Sequence, residues 1–231
     1  MRARRLFLLS LALGLGVSAP LAARKPPMRS FADPSSIFAV EIAFNRLARE
    51  KGQWTAFRET AADDAVMFVP QKILAKDWLK GRADPPTPVQ WQAHKVYISC
   101  DRRTAAATGT WQGADGAQGY FTTIWRMDAK GRWKWVLDHG DRLDTPRAES
   151  EFLEGHVAEC RKGGRGPEGW SDDARPPRPV KGGKEEMAAP PDDSLRWSYE
   201  TGEDGSRALR VNVWTGSAYE MVIEDRVGAA P

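Results

Sequence analysis

The first part of the chain alternates apolar and polar residues at helical spacing. Asp33-Pro34 supplies a capping residue followed by proline at the first helical position, and apolar side chains then recur every three or four residues up to Gly52. A short apolar run that ends at Pro70 is typical of a buried strand. The predicted elements are helices over residues 34–51 and about 53–61, a strand over 65–69, and a third helix that carries Ile73, Leu74 and Trp78.

Beyond the proline-rich loop at residues 84–88 the pattern changes to strands. Four runs are separated by short turn-forming segments, so we expect an antiparallel meander, followed by a trailing helix over Ala148–Cys160. The four runs are Val89–Ser99, Thr104–Gln112, Gly119–Met127 and Arg132–Asp138.

The rest of the chain has a different composition. Residues 163–193 hold six glycines and six prolines, which is typical of a linker. Three runs over residues 194–226 predict a three-stranded antiparallel meander with one apolar face. So few residues cannot sustain a core alone, and we expect that face to pack on the main domain, residues 34–162, or on another chain. Its members are Leu195, Trp197, Tyr199, Leu209, Val211, Val213, Tyr219, Met221 and Ile223.

The N-terminus has the composition of an export signal. Three arginines precede the apolar stretch Leu6–Val17, and small residues lead to a cleavage point after Ala23. We expect residues 1–23 to be a signal peptide, with general secretion favoured over the twin-arginine route. The mature protein would be periplasmic or secreted, with no stable membrane anchor after cleavage. An uncleaved anchor is the alternative, although the apolar stretch is short for one.

Charge argues against nucleic acid as a partner. The full chain has 34 Lys and Arg against 31 Asp and Glu, and three of the arginines lie in residues 1–23. Without that segment the two signs balance, whereas binding to nucleic acid needs a basic face.

The two cysteines permit one intramolecular disulfide. In an oxidising compartment we expect Cys100 and Cys160 to pair, and two separate buried thiols are the alternative. Two isolated cysteines and three scattered histidines show no ligand spacing, so we expect no metal site. No nucleotide-binding or other cofactor motif is present, and we expect no cofactor.

Three segments carry a resemblance to a known superfamily. Ala62–Pro70 (ADDAVMFVP), Gly119–Trp125 (GYFTTIW) and Asp128–Gly140 (DAKGRWKWVLDHG) are similar to NTF2-like domains, including the SnoaL-like, DUF4440-like and ketosteroid isomerase-like groups. The resemblance covers about residues 34–145. It implies an α+β fold, the NTF2-like cone, in which N-terminal helices pack on a curved antiparallel sheet; the C-terminal meander lies outside it. The cone hosts isomerases, dehydratases, hydrolases and binding proteins, so the resemblance fixes no reaction.

One histidine is a candidate for chemistry. Strict alternation along residues 132–141 places two tryptophans, Leu137 and His139 on one face, which we expect to be concave and to face the helices. Lys134, Val136 and Asp138 take the other face, so Asp138 or Asp141 can orient His139 only if a bulge brings a carboxylate round. An imidazole with its ordinary pKa near 6.5 can act as an acid or a base. The alternative is that His139 caps the strand by bonding to a backbone carbonyl.

Large aromatic residues are expected around the mouth of such a pocket, although most aromatic stripes are core. An isomerase of the ketosteroid type would also need an isolated carboxylate and a hydroxyl donor, for which Asp64 and Tyr97 are conceivable. His94 and His156 have no nearby partner in sequence, and we expect both at the surface. The pocket candidates are Trp78, Trp111, Tyr120, Trp125 and Trp135.

Three functions remain open at this point. The first is an exported domain that binds a small apolar or amphipathic molecule, or a partner protein, without catalysis. The second is a cone-type enzyme, an isomerase, dehydratase or hydrolase, that uses His139 with a nearby aspartate. The third is an interaction module that acts through the C-terminal meander, and the sequence also leaves room for a homodimer.

Overall fold

The described residues form three helices, a seven-stranded sheet and a four-stranded sheet, which is the α+β class expected from the sequence. The computed structural model describes residues 32–148, 151–160, 184–188 and 192–229. The predicted signal peptide, residues 1–23, lies outside them. Within the described ranges, no helix is both long and apolar enough to cross a membrane.

The helices begin and end where the sequence places suitable residues. The backbone N–H of Ser35 donates to the Asp33 carboxylate at 2.9 Å. Gly52 links the first two helices with a φ of 106°, which disfavours any side chain. The Asp84 carboxylate fills the space beside Gly52 and accepts hydrogen bonds from the N–H and hydroxyl of Thr55. The helices are α1 (Ser35–Lys51), α2 (Gln53–Thr60) and α3 (Ala75–Leu79).

The first sheet has seven strands. They are β1 (Ala61–Phe68), β2 (Lys72–Leu74), β3 (Gln90–Ile98), β4 (Thr104–Gln112), β5 (Gln118–Met127), β6 (Trp133–Arg142) and β7 (Glu154–Val157). Their order is β2-β1-β6-β5-β4-β3-β7, and neighbours are antiparallel except for β1 with β6 and β3 with β7. The four long strands β3 to β6 form the predicted meander.

The second sheet has four strands, one more than predicted. They are β8 (Lys184–Ala188), β9 (Leu195–Thr201), β10 (Arg207–Trp214) and β11 (Tyr219–Val227). Their order is β11-β10-β9-β8, and all neighbours are antiparallel. β8 lies within residues 163–193, which the composition predicted as a linker. This correction has a simple cause, since the five residues of β8 contain neither glycine nor proline.

The two faces of the first sheet have different covers. Helices α1 and α2 pack on one face through a core that includes Phe44, Phe57 and Trp135. On the other face, Ile124 and Leu137 pack against β9, β10 and β11. This confirms the prediction that the apolar face of the C-terminal strands packs on the main domain. Seven of its nine predicted members take part: Leu195, Trp197, Tyr199, Leu209, Val211, Val213 and Ile223.

The other two members are displaced by a bulge in β11. The pairing with β10 shifts by one residue next to the pair Val211 and Ile223, so Val222 also packs into the interface. A bulge reverses the alternation of side chains along a strand. Tyr219 and Met221 therefore do not join the interface, and Met221 is 41% exposed.

Two predicted helical segments were wrong. The described part of the trailing helix, residues 151–160, contains β7, which pairs in parallel with β3. Ile73 and Leu74 belong to β2, which forms a hairpin with β1, and α3 begins only at Ala75. In both places pairing with an existing strand edge satisfies backbone groups that a short helix would leave unbonded.

The predicted disulfide between Cys100 and Cys160 is present, with the two Cα atoms 5.3 Å apart. Cys100 follows β3 and Cys160 follows β7. Between β7 and the disulfide, the Ala158 N–H donates to a carbonyl of β3, and the Glu159 N–H donates to the carbonyl of Trp214, each at 2.9 Å. The segment after β7 is therefore fastened to both sheets.

Candidate functional site

An apolar cavity of about 280 Å³ lies between the helices and the first sheet. Its rings hold one another in place by edge contacts, such as Phe44 against Trp91 at 4.8 Å and Trp54 against Phe57 at 5.6 Å between ring centres. The wall is therefore stiff and apolar. Its aromatic members are Phe44, Trp54, Phe57, Phe68, Trp91, Trp111, Tyr120 and Phe121.

Asp138, on β6, brings a carboxyl group into this apolar wall. The Thr123 hydroxyl donates a hydrogen bond to it at 3.0 Å. Burial raises the pKa of Asp138 from its ordinary 3.8 to about 7, because burial disfavours the charged form, and the bond from Thr123 opposes this only in part. Both protonation states are therefore populated near neutral pH, which is the property that acid–base chemistry or pH-dependent binding requires.

A second carboxyl group, that of Glu41 on α1, is buried behind the same aromatic wall. The indole N–H groups of Trp125 and Trp91 donate to it at 2.7 and 3.1 Å. Burial is the main reason that the pKa of Glu41 rises to about 7; the two indole bonds lower it, and the charge of Asp138 raises it further. Glu41 therefore holds the ring of Trp91 in position, and this ring forms part of the cavity wall.

A bulge in β6 decides which side chains reach the cavity. Val136 is an extra residue relative to β5, between the paired residues Trp135 and Leu137. Trp135 faces the helices, whereas Val136 and Leu137 both face the second sheet. The face predicted from strict alternation was therefore wrong beyond Trp135. Asp138 is directed to the helix side and His139 to the second sheet.

The side chain of His139 is fully buried beneath the second sheet, although residue 139 belongs to the segment that borders the cavity. It packs on the rings of Phe68 and Tyr120, at 5.5 and 6.2 Å between centres. Neither ring nitrogen has a hydrogen-bond partner among the described residues, so the predicted bond to a backbone carbonyl is absent there. Burial, together with the charges of Arg207 and Arg147, lowers the pKa of His139 to about 3. The imidazole is neutral near pH 7.

A closed polar cluster surrounds Asp225 of β11, next to His139. The Thr122 hydroxyl donates to Asp225 at 2.6 Å, and the Arg147 guanidinium lies 2.8 Å from the other carboxylate oxygen. The Nδ1 atom of His139 is 4.0 Å from Asp225, beyond hydrogen-bond distance. Arg147 also covers the ring of Tyr120 at 3.4 Å. The cluster thereby links the second sheet to the first.

The predicted pocket aromatics divide between wall and core. Trp111 and Tyr120 border the cavity. Trp125 and Trp135 are fully buried in the core and do not line it, because their indole N–H groups bond inward. Trp78 is partly buried on α3 and lies outside the wall.

The remaining candidates take other positions. Asp141 borders the cavity. Asp64 is bonded at 2.6 Å to Arg126 on the surface, and this partner holds the pKa of Asp64 below its ordinary value. Tyr97 lies on the side of the second sheet and stacks on the exposed ring of His156 at 5.0 Å. Asp64 and Tyr97 therefore do not meet in the cavity.

His94 corrects another prediction, since it is buried and not at the surface. It lies at a bulge in β3, between Ala93 and Lys95. Among the described residues there is no group of three or more His, Cys, Asp or Glu that could hold a metal ion.

Sequence reasoning missed Glu41 as a site residue, and a signal for it exists. Glu41 lies four residues after Ile37 and three before Phe44, on the buried stripe of α1. A carboxylate at such a position requires buried hydrogen-bond donors, which here are indole groups. Asp225 and Arg147 gave no comparable signal, since they lie far apart in the chain and meet only in the fold.

Comparison with family models and with curated proteins gives no match. Among solved structures, the chain is similar to a candidate ketosteroid isomerase from Parabacteroides distasonis, at 18% identity over 48% of this chain and 88% of that one, with a TM-score of 0.39. It is also similar to a candidate ketosteroid isomerase from Shewanella frigidimarina, at 17% identity over 48% of this chain and 100% of that one, with a TM-score of 0.31. Both belong to the group that the sequence resemblance indicated.

Proposed function

We propose that this protein is exported and that its NTF2-like cone, about residues 34–145, binds a small apolar or amphipathic molecule in the cavity between helices and sheet. The observation that carries the proposal is the cavity itself, whose aromatic walls surround the carboxyl group of Asp138, with Asp141 and Arg142 also at its border. A concave apolar site with few polar groups is the usual form of a small-molecule site. The disulfide supports export, because disulfides persist in oxidising compartments.

Binding should depend on pH through Asp138. Below pH 7 the carboxyl group is mostly neutral and an apolar ligand can cover it at low cost. Above pH 7 it is mostly charged, and covering it removes water from a carboxylate. We therefore expect affinity for the neutral dye N-phenylnaphthylamine to fall as the pH rises through about 7.

The experiment is a fluorescence titration of the full chain with this dye at pH 6 and pH 8. Asp138→Asn should bind equally at both values. Asp128→Asn, in an exposed turn at the other end of β6, should keep the dependence of the parent protein. Absence of saturable binding at either pH would overturn the proposal.

A cone-type enzyme is the second candidate, and the pKa of Asp138 near 7 favours it. A half-buried acid that titrates near neutral pH suits proton transfer to or from a carbon acid. The position of Asp138 in the wall favours it over the buried His139 as the group that meets a substrate. Turnover of a β,γ-unsaturated steroid ketone that is lost in Asp138→Asn but kept in His139→Gln would establish this candidate, and no turnover would leave binding alone.

The interaction-module hypothesis depended on an exposed apolar face over residues 195–223. That face packs on the first sheet, so the hypothesis loses the observation on which it rested.

A further inference from the structure

A second cavity, of about 410 Å³, adjoins the first and has a different chemistry. Trp91 and Trp111 contribute to the walls of both. The second cavity crosses the ends of three strands, and the end of α1 closes it with Asn45 and Arg49. We call it the glutamine groove, after the three residues that begin or end these strands: Gln90, Gln112 and Gln118.

Strand pairing places these three side chains in one row. Gln90 pairs with Gln112, and Gln112 pairs with Gln118. Gln92 also lines the groove. Each amide group can both donate and accept hydrogen bonds, and among the residues that the structure describes no carboxylate lines the groove. Polar groups of this kind suit an uncharged ligand with several hydroxyl groups.

The single arginine of the groove is engaged in its wall. The Arg49 guanidinium donates to Asn45 at 3.2 Å and to Gln90 at 3.1 Å. Arg49 thereby orients the amide of Gln90, and the amide oxygens of Asn45 and Gln90 partly offset its positive charge. An anionic ligand would have to compete with these two bonds, which disfavours phosphate or carboxylate head groups.

The two tryptophan rings are held rigidly between the cavities. Trp111 and Trp91 are direct partners on β4 and β3, and the next residue of that row is Gly119. The Trp111 ring lies on the bare backbone of Gly119, where a Cβ atom would approach it within 2.6 Å, and its indole N–H donates to the carbonyl of Tyr120 at 3.1 Å. Fixed aromatic faces beside amide groups favour stacking of a sugar ring, because little side-chain freedom is lost on binding.

We propose that the ligand of this protein is a glycoside-like amphiphile, with its apolar body in the aromatic cavity and an uncharged, hydroxyl-rich head in the glutamine groove. The proposal rests on the proposed function of the aromatic cavity. Trp91 and Trp111 mark the junction between the two parts of the ligand.

The test compares three probes with the same apolar chain: octanol, octyl glucoside and octyl phosphate. Their dissociation constants are measured by quenching of tryptophan fluorescence in the full chain, below the micelle concentrations. We expect octyl glucoside to bind about tenfold more tightly than octanol, the effect of one or two net hydrogen bonds. Octyl phosphate should gain no such advantage.

A double variant, Gln112→Leu with Gln118→Leu, removes two amides and keeps the side-chain size. It should cost octyl glucoside about tenfold in affinity and leave octanol unchanged. Gln71→Leu, an exposed glutamine away from both cavities, is the matched control. If the double variant does not fold, the single exposed Gln112→Leu carries the same comparison at a smaller expected loss.

The possible outcomes separate a failure of the groove proposal from a failure of the cavity proposal. Equal binding of octanol and octyl glucoside, unaffected by the glutamine variants, would overturn the groove proposal and keep the cavity proposal. Tighter binding of octyl phosphate would overturn the uncharged head group. No binding of any probe would overturn the proposed function itself.

Discussion

Asp138 and His139 are neighbours in the chain, yet they lie on opposite faces of the same sheet. On the helix side, Asp138 borders the aromatic cavity. On the side of the second sheet, His139 lies in closed packing beside the ion pair of Asp225 and Arg147. The helix-facing side of the first sheet therefore borders the aromatic cavity, whereas its other side packs against the second sheet and forms what we call the sealed face.

The same physical cause acts on both residues with opposite results. Burial disfavours charge, so it raises the pKa of the acid to about 7 and lowers that of the imidazole to about 3. Only the acid titrates near neutral pH. Histidine is the residue type most often assigned to acid–base work, but His139 does not titrate near neutral pH. The carboxyl group of Asp138, its neighbour in the chain, does.

The largest expected effect comes from removing the cover of the sealed face. Truncation after residue 162 deletes the second sheet and exposes the apolar residues around Leu137. Burial of each large apolar side chain contributes roughly 1.5–3 kcal/mol, so we expect a loss of several kcal/mol or aggregation. Urea denaturation and size-exclusion chromatography measure this. A soluble, monomeric and equally stable fragment would show that the second sheet is not part of the folding unit.

Within the face covered by the second sheet, Asp225→Ala should cost about 1–3 kcal/mol of unfolding free energy. The substitution leaves the buried hydroxyl of Thr122 without its acceptor, and it leaves the partly exposed guanidinium of Arg147 without its carboxylate. Asp64→Ala removes a carboxylate from an exposed pair with Arg126 and should cost less than about 1 kcal/mol. Similar costs for the two variants, in urea denaturation, would mean that the Asp225 cluster is not sealed.

The bulge in β11 gives a matched pair of variants. Ile223→Ala should cost about 2–5 kcal/mol, because Ile223 is buried in the interface. Met221→Ala should change stability by no more than about 0.5 kcal/mol, because Met221 is exposed. Strict alternation would make the two losses comparable, so equal values in thermal or urea unfolding would argue against the bulge.

The last two effects are opposite slopes of stability with pH. The folded state holds a proton on Asp138 up to about pH 7, whereas the unfolded chain releases it near 3.8, so this residue makes the unfolding free energy fall between those values. His139 binds its proton only near pH 3 in the folded state but at 6.5 when unfolded, so it makes stability rise from about pH 3 to 6.5.

Urea denaturation from pH 4 to 8 separates these two contributions. Relative to the parent protein, Asp138→Asn should make the slope of stability against pH more positive, and His139→Gln should make it more negative. Glu41→Gln should act in the same direction as Asp138→Asn, since burial raises the pKa of Glu41 as well. Curves parallel to that of the parent protein would contradict the assignment of faces.

The sequence predicted α1 and α2 from their helical periodicity, and it predicted the meander from four strand-like runs separated by short turns. It could not predict which side chains of β6 and β11 share a face, because Val136 and Val222 are extra residues within these strands that reverse the alternation. A bulge of this kind leaves no mark in composition, because its cause is the bending of the sheet against its neighbours. Because the extra residue Val136 was not predicted, strict alternation placed His139 on the helix-facing side of the sheet and Asp138 on the opposite side.

Order of synthesis gives the second sheet a role in the assembly of the fold. The meander is complete once β6 has been made, but the strands that cover its outer face come from the end of the chain. Until they arrive, the apolar surface around Ile124 and Leu137 stays open to other molecules, which is the condition under which incomplete chains associate. We therefore expect soluble yield in the cell to fall when residues 195–223 are slow to reach that surface.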